Sequence, residues 1–140
     1  MSTPVVLITG ALTGIGRATA IAFAKEGARL VISGRNEAEG KVLEAMLRGL
    51  GTEAEFVRAD VRHEKDVSSL VDTAVARFDR LDVAVNNAGT EGKLGPLTDV
   101  SVESYGAMFD TNVLRVVLSL TRELRVMQSQ GRGSILRLGS

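Results

Sequence analysis

Residues 5–16, Val5-Val6-Leu7-Ile8-Thr9-Gly10-Ala11-Leu12-Thr13-Gly14-Ile15-Gly16, decide the fold. Four apolar residues in a row read as a short strand buried on both faces, since a half-exposed strand would alternate apolar with polar. Thr9-Gly10 ends that strand, and from residue 14 to about residue 27 the apolar positions, Ala18, Ile21 and Ala22 among them, recur at helical spacing. Gly10, Gly14 and Gly16 therefore sit on a turn from strand to helix, at GxxxGxG spacing rather than the GxGxxG of the common dinucleotide fingerprint. Glycine lets the chain turn tightly and lets backbone N–H groups approach a pyrophosphate, while the helix N-terminus adds partial positive charge. Taken alone, the three glycines fit a strand–helix turn that holds no ligand better than a binding loop. Their place on the first such turn of the chain favours a bound phosphate.

Outward from this segment the same alternation repeats. Leu30-Val31-Ile32 reads as a second buried strand. Asn36, with Glu39 three residues on, has the form of a capping box opening a helix that runs to about Leu50. Ala54, Phe56 and Val57 mark a third strand. Val67, Leu70, Val71, Ala74, Val75 and Phe78 share one face of a helix over residues 64–78. Residues 81–85 give a fourth strand, residues 101–130 a long helix, and Ile135, Leu136 and Leu138 a fifth strand. Five strands alternating with four helices predict an α/β domain with an open, doubly wound parallel sheet. Right-handed crossovers give it the strand order 3-2-1-4-5. The first and fourth strands then flank the switch point, and ligands bind there, beyond the carboxyl ends of the strands.

At 140 residues the chain is read as one domain, residues 1–140. Lys+Arg and Asp+Glu each total 17, so the net charge is zero and gives no electrostatic footprint for nucleic acid or an anionic membrane. With no cysteine and one histidine, neither a disulfide framework nor a zinc centre is expected. No apolar run approaches the ~18 residues of a membrane span. The N-terminus lacks a basic region and a cleavage site, so a cytoplasmic protein without a signal peptide is expected.

Two further groups fall at strand carboxyl ends: Asp60 after the third strand, and Asn86-Asn87-Ala88-Gly89 after the fourth. Singly, each fits a turn or a helix cap as well as a site. Together they converge with the glycine loop on one cleft. With TGALTGIG at 9–16, Asp60-Val61, NNAG at 86–89, Asn112 within FDTNV and GSILRLGS at 133–140, the whole chain resembles the short-chain dehydrogenase/reductase family. The resemblance implies a Rossmann-type sheet that binds NAD or NADP. It places Gly10, Gly14 and Gly16 along the pyrophosphate, with Ile15 packed beneath. Asp60 and Val61 would hold the adenine end, and Asn87, Ala88 and Gly89 would border the cofactor and brace the central strand. Asn112 would support a water-linked proton relay, and Ser140 would hydrogen-bond a substrate carbonyl or alcohol.

The sequence also departs from that pattern. The family's tyrosine proton donor, with a lysine four residues on, has no counterpart: Tyr105 is the only tyrosine, and Phe109 lies four residues after it. Tyr105 is read as a helix-packing residue. The chain is thus expected to be the amino-terminal part of a longer oxidoreductase that moves a hydride between a nicotinamide and a small carbonyl or alcohol substrate, and to be inactive by itself. A non-catalytic nucleotide-binding module, or an engineered self-associating Rossmann fragment, are the alternatives. Arg35, just after the second strand, can hold a ribose 2′-phosphate, and Gly34 stands where the family often has an acid. Thr13 stands where many NADP users carry a base, so the lean toward NADP over NAD is slight. Arg115 and Arg137 interrupt apolar runs and are read either as ordinary variation or as guards on bared surfaces. His63 and the charges at 77–80 and 122–125 are read as solvated, and residues 90–99 as a surface loop or part of a substrate pocket. Val113, Val116 and Val117 on the long helix, with the last strand's edge, predict a homo-oligomer.

Overall fold

The computed structural model describes residues 3–60, 63–87 and 115–137. β1 (Val5–Ile8), β2 (Arg29–Gly34), β3 (Ala54–Arg58), β4 (Val83–Asn86) and β5 (Ser134–Arg137) form one parallel sheet in the order β3-β2-β1-β4-β5. Between them run α1 (Gly14–Lys25), α2 (Glu37–Gly49), α3 (Glu64–Phe78) and α4 (Arg115–Gln130). The doubly wound order expected from the sequence is the observed one.

The pleat explains why both faces are covered. Alternate residues of a strand point to opposite sides, and β1 is buried throughout. Val5 and Leu7 enter one core with Val67, Leu70 and Phe78 of α3 and with Met127 of α4. Val6 and Ile8 enter the other, with Ala20 and Ala24 of α1 and with Leu43 and Leu47 of α2. Small residues bring the second layer close. A Cβ on Gly40 of α2 would overlap the ring of Phe56 on β3.

Element boundaries follow local hydrogen bonding. The Asn36 side chain accepts from the Glu39 N–H at 3.0 Å, so the cap expected from the sequence starts α2. β4 begins at Val83 and not at residue 81, because the Gln130 carboxamide pairs with both the N–H and the C=O of Leu81, at 2.7 Å each. Asp82 next to it takes the Val5 N–H at 2.9 Å and the Arg80 guanidinium. Burial pushes the Asp82 carboxyl up, but the Arg80 and Val5 hydrogen bonds outweigh it and hold it below the usual carboxylate range. Among the described residues, no helix is long and apolar enough to cross a membrane.

Residues 101–114 of the predicted long helix, and with them Tyr105 and Val113, lie outside the described residues, as do residues 90–99 and Leu138. The side chains of Arg115, Val116, Val117 and Arg137 lie outside them too.

Candidate functional site

The first link is the glycine loop beyond β1. The Thr9 N–H donates to the Val85 carbonyl of β4 at 3.1 Å, and the Ala11 N–H to the Ser33 carbonyl of β2 at 3.0 Å. The loop is thus stitched to both neighbouring strands at the switch point. Gly10 (φ +61°) and Gly14 (φ +55°) take left-handed backbone that side-chain-bearing residues rarely adopt. Gly16 is needed for a different reason: a Cβ there would overlap the Gly10 carbonyl oxygen and come within 2.5 Å of Asn87 Nδ2. Thr13 caps α1 in extended backbone, its hydroxyl makes no cap bond, and the first turn of α1 carries no acid. No acid of α1 itself therefore occupies the positive end of that helix. Ile15 is 66% exposed, because the first turn of α1 presents Gly16 inward and Ile15 outward.

Asn87 holds the loop from the other strand. Its N–H donates to Thr9 Oγ1 at 3.1 Å, and its Nδ2 to the Gly10 carbonyl at 2.9 Å. Asp60, after β3, is half-buried; its N–H donates to Asp66 Oδ2 at 2.8 Å, and its Oδ2 lies 3.7 Å from His63 Nε2. His63 itself is exposed at the N-cap of α3, the solvated helix-start position expected for it. Arg35 is exposed one residue past the end of β2. Gly34 before it admits no side chain without displacing Leu12, whose Cδ1 would lie 2.5 Å from an added Cβ. Leu12, Thr13, Arg17, Val42 and Met46 help line an open groove of about 360 Å³ on the flank of the loop.

One pair was not foreseen. Glu123, inside the 122–125 stretch read as a solvated face, is 1% exposed, and its Oε1 accepts from Asn86 Nδ2 at 2.9 Å. Burial pushes its carboxyl up to about 7, against the opposing pull of the Asn86 hydrogen bond. The available signal was periodicity: Glu123 lies four residues before Met127 and so shares its helix face.

Among the expected site residues, the structure thus brings Gly10, Thr13, Gly14, Gly16 and Asn87 to one edge of the sheet, with Asp60 and Arg35 at neighbouring strand ends. Val61, Ala88, Gly89, Asn112 and Ser140 lie outside the described residues. The arrangement fits a dinucleotide. Among the described residues nothing outside its own helix turn lies within 4 Å of the side-chain position at Gly14, so the loop backbone is open to close approach there.

Comparison with known proteins bears on the same segment. A family model described as short chain dehydrogenase matches residues 4–140. The 3beta-hydroxysteroid dehydrogenase of Mediterraneibacter gnavus is 36% identical over 97% of this chain and 49% of its own length. Xanthoxin dehydrogenase of Arabidopsis thaliana is 40% identical over 97% of this chain and 49% of its own length. The crystal structure of an NAD+-bound xylitol dehydrogenase matches with a TM-score of 0.93 and 33% identity, over 98% of this chain and 53% of that one. The chain spans about half the length of the relatives it matches.

Proposed function

The chain belongs to the short chain dehydrogenase family, and from that premise we propose that it binds a nicotinamide dinucleotide across the carboxyl ends of β1 and β4. The observation that carries this reading is the loop itself: Gly10 and Gly14 in left-handed backbone, Gly16 in a place too tight for a side chain, and Asn87 holding the Gly10 carbonyl. In this reading the open N–H groups at the start of α1 take the pyrophosphate, with Gly10, Thr13, Gly14, Ile15 and Gly16 around it. Asp60 and Val61 take the adenine end, and Asn87, Ala88 and Gly89 border the nicotinamide side. The protein that carries this chain is proposed to act on a small carbonyl or alcohol substrate, and the bound nicotinamide would supply the hydride chemistry.

Ser140 and Asn112 would orient substrate and a water. The sequence contains no Tyr-x-x-x-Lys. A lone tyrosine has a pKa near ~10, and a nearby ammonium is what brings it toward neutrality. The 140 residues by themselves are therefore proposed to bind cofactor without delivering a proton. A cytoplasmic setting agrees with this chemistry.

Arg35 carries the finer assignment, NADP over NAD, because a guanidinium can pair with a 2′-phosphate that NAD lacks. Titration of the purified chain with NADPH and with NADH, followed by calorimetry, tests both levels. NADPH is expected to bind more tightly, and Arg35→Ala to weaken NADPH by roughly tenfold, the size of one charge-assisted hydrogen bond, while leaving NADH unchanged. Equal affinities that Arg35→Ala does not alter would remove the NADP assignment. Binding of neither nucleotide would remove the function.

A further inference from the structure

Glu123 and Asn86 form a buried polar pair that the proposed chemistry does not use. Asn86 Nδ2 donates to Glu123 Oε1 at 2.9 Å, yet Asn86 Oδ1 is buried without a partner among the described residues. A buried acceptor left unpaired is unfavourable, and a buried carboxylate more so. Both faults have one remedy. A neutral carboxyl carries an O–H donor as well as an acceptor, so a protonated Glu123 can accept from Asn86 Nδ2 and donate to Asn86 Oδ1. The two side chains would then close a ring of two hydrogen bonds.

No cation offers an alternative remedy among the described residues. On α3, which packs against α4, Lys65 and Asp72 line an open groove with Arg122 of α4. Asp66 accepts from the Asp60 N–H, and Arg77 pairs with Glu55 at 3.2 Å. Arg125 of α4 is exposed. β4 carries no charged residue. The side chains of Glu64, Arg115 and Arg137 lie outside the described residues. Burial and the Asn86 bond are what act on the Glu123 carboxyl, and together they leave it near 7.

The position of the pair gives it a role. Asn86 and Asn87 are consecutive and meet different partners: Asn86 meets α4, while Asn87 meets Thr9 and Gly10. We propose that Glu123 is a positioning residue: as a neutral acid it closes a two-bond ring with the Asn86 carboxamide, and so fixes the β4 end from which Asn87 holds the glycine loop. When Glu123 ionises, the donor is lost and a carboxylate oxygen faces Asn86 Oδ1. The carboxamide must then turn or move, and Asn87 moves with the shared peptide. The effect on the loop follows from the pair alone; the effect on nucleotide affinity rests also on the proposed function.

The test is a pH titration of the ¹⁵N-labelled chain, reading the Asn86 and Asn87 carboxamide resonances, for the wild type and Glu123→Gln. Glutamine offers one carbonyl and one NH₂, so it keeps both bonds at every pH. In the wild type both carboxamides are expected to shift with one midpoint near 7; in Glu123→Gln neither should. An Asn87 resonance that stays still in the wild type, or one that titrates alike in both chains, would overturn the proposal. If Glu123→Gln does not fold, infrared spectroscopy of the wild type decides. At about pH 6, where ordinary carboxyls are ionised, the C=O stretch of one buried protonated carboxyl should be present, and its absence overturns the assignment. NADPH affinity should fall several-fold as the wild type passes from pH 6 to pH 8, about one unit either side of the Glu123 value, and stay constant in Glu123→Gln. A chain that binds no nucleotide at any pH would defeat the proposed function, while the resonances still decide the role of Glu123.

Discussion

At the scale of the residue, two carboxyls with shifted titration among the described residues, Glu123 and Asp82, push stability in opposite directions. Glu123 titrates near 7 when folded, against an ordinary unfolded value of about 4.3. Between those values the folded chain holds a proton that the unfolded chain has lost, so stability falls as pH rises. The contribution is complete below about pH 4.3, is lost progressively up to about 7, and is flat above that. The difference corresponds to roughly 4 kcal/mol at most. Urea midpoints are expected to drop over this window in the wild type relative to Glu123→Gln, and equal slopes with pH would contradict the assignment. Asp82, held low by Arg80 and Val5, behaves oppositely: its contribution is present above its unfolded value and is lost as pH falls through its lowered one. It therefore leaves the upper part of the Glu123 window undisturbed.

At the scale of the element, the caps and the pleat are what the sequence states most clearly. Asn36 satisfies the Glu39 N–H, and Glu37 and Glu39 place negative charge at the positive end of α2. Asn36→Ala is expected to lower stability by about 1 kcal/mol, read as a lower urea midpoint with an unchanged slope. Apolar runs such as residues 5–8 and 30–32 were legible because strands buried on both faces need no alternation. Periodicity gave α3 its observed span, Glu64–Phe78. Less legible was the start of β4, since only the folded chain brings Gln130 against Leu81. Glu123 was misread for a similar reason. Flanked by Arg122 and Arg125, it looks solvated until the fold brings Asn86 to it from 37 residues away. The glycine loop lay at the other extreme, because its three glycines answer local demands of φ and close approach.

At the scale of the whole molecule, β5 stands at the sheet's edge, paired only with β4 among the described strands. Leu136 on it is 51% exposed, and Leu124 on α4 is also exposed. Exposed apolar groups on an open edge favour association, so the chain is expected to form a homo-oligomer. Light scattering at high protein concentration checks this. Leu136→Lys should lower the measured mass if the edge carries the contact, and Leu124→Lys if the helix does. A monomer throughout would contradict the expectation and favour the reading of Arg115 and Arg137 as guards.

The strand order also sets a timetable for synthesis. β3, β2, β1 and β4 are all complete by Asn86, whereas β5 and the α4 side chain that meets Asn86 come 37 residues or more later. Residues leave the ribosome N-terminal end first. A nascent chain released as far as β4 therefore displays Asn86 to water, and beside it the inner side of α3 that Met127 later covers. Docking of α4 is then the step that dries this surface, and until that step the carboxamide of Asn86 keeps its hydration.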